Sequence, residues 1–170
     1  ARNIIDEVSK TFIWTNHAKD YGVSQVTWLK KTKEIIYISE QDGWRHLYLV
    51  DVATGKQKQI TKGEYVLRYV DKIDEEKRQI WFRASGRNTK QDPYLIHYYR
   101  VNFDGGGLIA LTEGDGTHEV RYSPDRKYLI DTYSRIDMAP VNELRRVSDG
   151  DLVCKLEESD ISELEASGWK

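Results

Sequence analysis

The sequence predicts an all-β chain of about three repeated four-stranded antiparallel sheets, and three observations predict it. First, the 12 Val, 14 Ile and 10 Thr are joined by 19 aromatic residues, so side chains suited to a pleated, half-buried surface are plentiful. Second, the apolar runs are short and broken at Asp42-Gly43, Thr54-Gly55, Lys62-Gly63, Gly105-Gly106-Gly107, Asp115-Gly116, Ser123-Pro124-Asp125 and Asp149-Gly150. Such punctuation at hairpin spacing is turn chemistry. Third, the chain repeats itself. The run Leu47-Tyr48-Leu49-Val50-Asp51-Val52, followed by Gly55 and by Gln59-Ile60-Thr61-Lys62-Gly63, matches Tyr98-Tyr99-Arg100-Val101-Asn102-Phe103, Gly106 and Ala110-Leu111-Thr112-Glu113-Gly114 at a constant offset of 51. A looser third copy runs from Leu144 through Gly150 to Leu156.

Each unit fills to four strands. The first takes 23–29, 34–40, 45–52 and 57–61. The second takes 66–73, 79–84, 95–103 and 108–112, with an inserted polar loop at 85–93 read as a solvated insertion. The third takes 118–123, 128–134, 142–147 and 152–156. Strand lengths of about 5 to 8 are ordinary. Four-stranded units recurring every ~40 to 50 residues are the period of a β-propeller, whose ring closes with about four to eight blades. Three blades, at about 23–61, 66–112 and 118–156, therefore read as part of a ring, with residues 1–14 as the remnant of a preceding blade whose outer strand ends at Asn3-Ile4-Ile5-Asp6-Glu7. Residues 159–170 carry an N-cap at Ser159 or Asp160 and acidic residues in the first turn, the signature of a short helix. That helix reads as a cap or as a linker to another domain.

Composition removes several function classes. Twenty-six basic against 28 acidic residues give a net charge of −2, unlike the basic footprint of a nucleic-acid binder. No apolar run approaches the ~18 residues of a membrane span. One cysteine, Cys154, excludes an internal disulfide or a Cys-rich zinc site, and its place in an apolar outer strand reads as a buried, inert thiol. His17, His46, His97 and His118 have no partner at i+3 or i+4, so a metal site would need tertiary convergence and no metal or cofactor is expected. The chain contains no G-x-S-x-G, the nucleophile elbow of a serine hydrolase, so no catalytic residue is assigned. In the turn at Asp42-Gly43, Arg45 is placed to pair with Glu40 or Asp42 across the strands.

Seven strings together carry a resemblance: residues Ser39 to Tyr48, Ile60 to Gly63, Gln79 to Gly86, Gln91 to Tyr94, Leu111 to His118, Tyr122 to Asp125 and Asp131 to Arg135. They resemble the N-terminal propeller of bacterial dipeptidyl peptidase IV relatives, in the prolyl oligopeptidase superfamily. The likeness spans nearly the whole chain, with Asp42-Gly43-Trp44-Arg45-His46-Leu47-Tyr48 and Glu113-Gly114-Asp115-Gly116-Thr117-His118 specific in combination. One departure is Arg126, where many such propellers have Gly, and it leaves the turn type open.

The resemblance implies an eight-bladed propeller over an α/β-hydrolase domain in cis, a peptide substrate, room for a homo-oligomeric parent, and a periplasmic or extracellular setting. It implies that this chain is the last part of the propeller, gating access and positioning peptide for a serine exopeptidase while lacking the catalytic residues itself. The paired acids that hold the substrate amine in that family are not matched by Glu75-Glu76 or Glu157-Glu158. The loops entering each innermost strand, 17–22, 62–65 and 113–117, are expected to form the rim facing the hydrolase, with His17, Lys19 and Tyr21 nearest the substrate. The alternative is a stand-alone propeller scaffold that binds proteins.

Overall fold

The computed structural model describes residues 2–13 and 24–169. Among the described residues, twelve strands form three four-stranded sheets, each an antiparallel meander in chain order. Sheet one holds β1 (Val26–Trp28), β2 (Glu34–Ser39), β3 (His46–Asp51) and β4 (Gln57–Gln59). Sheet two holds β5 (Val66–Asp74), β6 (Gln79–Ser85), β7 (Ile96–Asn102) and β8 (Ile109–Ala110). Sheet three holds β9 (Thr117–Tyr122), β10 (Tyr128–Arg135), β11 (Met138–Arg146) and β12 (Leu152–Glu158), and a short helix, α1 (Ser162–Ala166), follows.

The period-two alternation of side chains distributes each strand between two faces. On β2, Ile36 and Ile38 face the second sheet, where they join Leu47, Leu67, Ile80, Phe82 and Tyr99 in the largest core cluster. The intervening Ile35 and Tyr37 turn to the other face and pack with Tyr48, Val50, Ile4 and Ile5. Between sheets two and three, Trp81, Tyr98 and Leu111 meet Leu129 and Val147. Three apolar layers thus alternate with the sheets, and the strand register sets Tyr37 opposite Tyr48 and Phe82 opposite Tyr99.

Two glycines lie with their backbones tight against the preceding sheet. Gly105 (φ +84°) sits against sheet one, where a Cβ would lie 2.9 Å from the Ile60 carbonyl oxygen. Gly150 (φ +84°) sits against sheet two, where a Cβ would overlap the Ala110 carbonyl oxygen. Gly55 lies in the same way against the Ile4 carbonyl, so Ile4 occupies the position that Ile60 and Ala110 hold for the later sheets.

Four expectations change. Residues 3–7 form no strand, because a strand is defined by its ladder and no described strand pairs with them; they run unpaired along sheet one. Cys154 is exposed, since every residue of β12 is exposed on both faces of this outermost strand. Arg45 makes no ion pair with Glu40 or Asp42; Asp42 instead accepts from the Trp44 amide (3.1 Å) and the Gln59 side chain. The helix starts later than its acidic signature, at Ser162, whose N–H is taken by the Asp160 carboxylate at 2.9 Å in a turn before the helix.

Candidate functional site

In each meander the β2–β3 type turn and the loops linking one sheet to the next fall at one end. The expected rim loops at 62–65 and 113–117 are therefore on the same side as the 86–95 loop. His17, Lys19 and Tyr21 lie outside the described residues. What the structure adds at this end is a set of buried polar groups built on the three other histidines.

The first two belong to one repeated device. His46 Nδ1 lies 3.1 Å from Thr61 Oγ1 and its Nε2 lies 2.9 Å from the Gly63 carbonyl, while Thr61 Oγ1 accepts from the Leu47 amide at 2.9 Å. A carbonyl only accepts, so Nε2 carries the hydrogen and Nδ1 accepts from the threonine hydroxyl. In the second sheet His97 Nδ1 lies 3.3 Å from Thr112 Oγ1, which accepts from the Tyr98 amide at 3.1 Å. The His97 Nε2–H donates to Gln91 Oε1 at 2.8 Å. Each latch holds the start of the third strand to the second residue beyond the fourth, where the ladder itself has ended. Burial, with His118 alongside, lowers the pKa of His97 to about 4, so it is neutral and fits its place as one donor and one acceptor.

The third sheet departs from this pattern. His118 Nδ1 lies 2.8 Å from Asp131 Oδ1, and its Nε2 donates to the Gly114 carbonyl at 2.9 Å. Asp131 is fully buried, and Arg145 stands 3.8 Å from it while bonding Glu143 at 2.9 Å and the Gly150 carbonyl at 2.9 Å. His97 and His118, on adjacent sheets, face each other with ring centroids 4.5 Å apart at an interplanar angle of 43°. Gln91 completes the join, since its Nε2 donates to the carbonyls of Glu113 (3.4 Å) and Gly114 (3.3 Å). The inserted loop is thus anchored through Gln91 rather than simply solvated. Arg145 also reaches Glu113, at 3.4 Å, and Arg135 pairs with Asp115, so the 113–117 loop is tied at four of its groups.

A buried His–Asp pair is half of a hydrolytic triad, but its chemistry is closed here. A general base needs a free lone pair facing a nucleophile, and the second nitrogen of His118 is spent on a backbone carbonyl. The convergence of His97 and His118 likewise leaves no ring nitrogen open to a metal, and no group of three or more candidate ligands occurs among the described residues. With both ring nitrogens engaged, His118 is arranged to hold the 113–117 loop in place. Sequence reasoning missed it, although His46/Thr61 and His97/Thr112 share a 15-residue spacing within the aligned repeats.

Three four-stranded antiparallel meanders joined by hydrogen-bonded loops define a propeller-type domain. The comparisons give its kinship. Residues 1–140 match the family described as the dipeptidyl peptidase IV N-terminal region, and the chain belongs to that family. Dipeptidyl peptidase 4 of Arthroderma otae is 31% identical over 114 residues, 66% of this chain and 14% of that protein. The Trichophyton equinum protein of the same name is 35% identical over 74 residues, covering 44% of this chain and 9% of its own. The chain thus spans about a tenth to a seventh of these relatives. The crystal structure of Porphyromonas gingivalis dipeptidyl peptidase 4 superposes with a TM-score of 0.60 at 22% identity, covering 84% of this chain and 19% of that one, and shares its fold.

Proposed function

We propose that these sheets form part of the propeller of a dipeptidyl peptidase IV-like serine exopeptidase, gating access and positioning peptide for an α/β-hydrolase domain in cis, in a periplasmic or extracellular parent. The 159–170 segment would lead toward that domain. The observation that carries the reading is the tied rim. Loops that add binding energy remote from the scissile bond must be pre-ordered, because ordering them on binding would consume that energy. The latches on Gly63 and Gly114 hold two of the three rim loops in advance.

His17, Lys19 and Tyr21 belong to the remaining rim loop, and we place them nearest the peptide. The test has two parts. The 170-residue chain alone is expected to release no dipeptide from X-Pro or X-Ala substrates. In the intact parent, Tyr21→Ala is expected to lower kcat/KM for short peptides about tenfold, the effect of losing roughly 1.4 kcal/mol of transition-state binding. Unchanged kinetics in a folded Tyr21→Ala enzyme would remove this loop from the site. Dipeptide release by the purified chain, persisting after contaminating proteases are inhibited, would overturn the non-catalytic reading.

A further inference from the structure

At the opposite end of the sheets from the rim, a cleft of about 460 Å³ opens between sheets two and three. Its walls carry Lys72, Lys77, Arg100, Arg126, Lys127 and Arg146 against only Asp74 and Asp125, in a chain whose net charge is −2. Three of the cations are already matched: Lys72 to Asp74 (3.6 Å), Lys127 to Asp125 (3.4 Å) and Arg146 to Asp149 (2.8 Å). Lys77, Arg100 and Arg126 have no carboxylate within ion-pair distance among the described residues.

Three buried N–H groups of the lining residues also lack an acceptor among the described residues: Trp81 Nε1, Arg100 Nε and Arg126 Nη1. Trp81 is only 4% exposed, so its indole N–H has left bulk water without a replacement. Buried donors in native proteins are nearly always satisfied, and an orphan group calls for an explanation. An oxyanion is a fitting one, because it offers several acceptor oxygens together with negative charge at short range, where Asp71 and Asp149 act on Arg126 and Arg100 only from beyond ion-pair distance.

The backbone adds an independent sign. Arg126 sits in the left-handed region at φ +54°, in the turn between β9 and β10, where a glycine would be unstrained. Its guanidinium lies 4.2 Å from the Tyr122 ring centroid and 5.9 Å from that of Trp81, beside the orphan indole. A strained arginine kept where glycine would fit points to a use for its side chain. Burial holds the Arg100 guanidinium below its ordinary range, a penalty that a neighbouring anion would reverse.

We propose that the cleft between sheets two and three is a binding site for a phosphate group, held by Arg126, Arg100 and the Trp81 indole N–H, with Lys77 at its mouth. The phosphate can be free or carried on a lipid headgroup, and the chemistry of recognition is the same.

The test is an NMR titration of the 170-residue chain, following the five tryptophan indole N–H resonances. The Trp81 signal is the one lost in Trp81→Phe. Inorganic phosphate is expected to shift it saturably, while sodium chloride at equal ionic strength does not. Arg126→Gly, which suits the backbone at that position, is expected to weaken binding about tenfold with the other indole signals unmoved. Arg100→Gln is the second variant should the first disturb the fold. A stationary Trp81 signal at tens of millimolar phosphate, an equal response to chloride, or undiminished affinity in folded forms of both arginine variants would overturn the proposal. Co-sedimentation with phosphatidylcholine vesicles containing phosphatidic acid, and not with phosphatidylcholine alone, assigns the phosphate to a lipid; a response to free phosphate alone assigns it to a soluble ligand.

Discussion

His97 shows how one residue can couple the fold to pH. Its folded pKa of about 4 lies below the ordinary value near 6.5, so the unfolded chain takes up a proton first as pH falls. The sign follows: the neutral latch is fully available above pH 6.5, stability is lost between pH 6.5 and about 4, and no more is lost from this group below that. We expect a loss on the order of 2 kcal/mol across that window. His97→Gln should flatten that segment of a plot of denaturation midpoint against pH, and parallel curves for the two proteins would refute the assignment. The threonine beside it is equally exposed to test. Thr112→Val keeps the shape but strands the Tyr98 amide and the His97 Nδ1, and should cost ~2 kcal/mol in urea denaturation. A change within experimental error would mean the latch contributes no net stability. At this scale the sequence was least readable. His46, His97 and His118 gave little away because the side chains that hold their Nδ1 atoms, Thr61, Thr112 and Asp131, stand 13 to 15 positions along the chain, and Cys154 looked buried because an apolar string does not reveal that both faces of its strand lie open.

Elements were far more legible, for a physical reason. Strand position follows from period-two alternation and turn residues, both local signals, so all twelve strands overlap the predicted runs, although β11 begins at Met138, four residues before the expected start at 142. Outer strands were the weakest part. β8 shrinks to Ile109–Ala110 against an expected 108–112, because an edge strand has one ladder partner and the latch at Thr112 replaces its last pairing. The glycines were read as turn formers, which they are, but their closeness to a neighbouring sheet is a tertiary fact. Gly150→Ala should therefore cost more than a change of turn residue: left-handed strain of ~1 kcal/mol plus displacement of sheet three from Ala110, together at least ~2 kcal/mol. Gly43→Ala, also at positive φ but with open space around it, should show the strain alone. Equal destabilisation of the two variants in thermal melts would show that the close approach carries no energy.

At the scale of the whole molecule, the repeat period announced a propeller-like architecture, while the number of sheets followed from counting the repeated copies along the chain. The outer faces were not legible, because what covers a sheet is set by its neighbours. Trp28 (59% exposed), Tyr128 (43%) and Ile130 (41%) leave apolar surface open on sheets one and three, and β12 adds an exposed outermost strand. Surfaces of this kind drive association. Sedimentation velocity of the 170-residue chain should show oligomers growing with concentration, with hydrophobic-dye binding in the dilute sample; a compact monomer at high concentration without dye binding would contradict this. The close-packed glycines run in one direction along the chain. Gly55 rests on Ile4, Gly105 on Ile60 and Gly150 on Ala110, always a later turn on an earlier segment. Because a ribosome delivers the chain from its N-terminus, every berth is already made before the piece that moors to it emerges, so the array can be laid down course by course as it is synthesised, without waiting for its final segment.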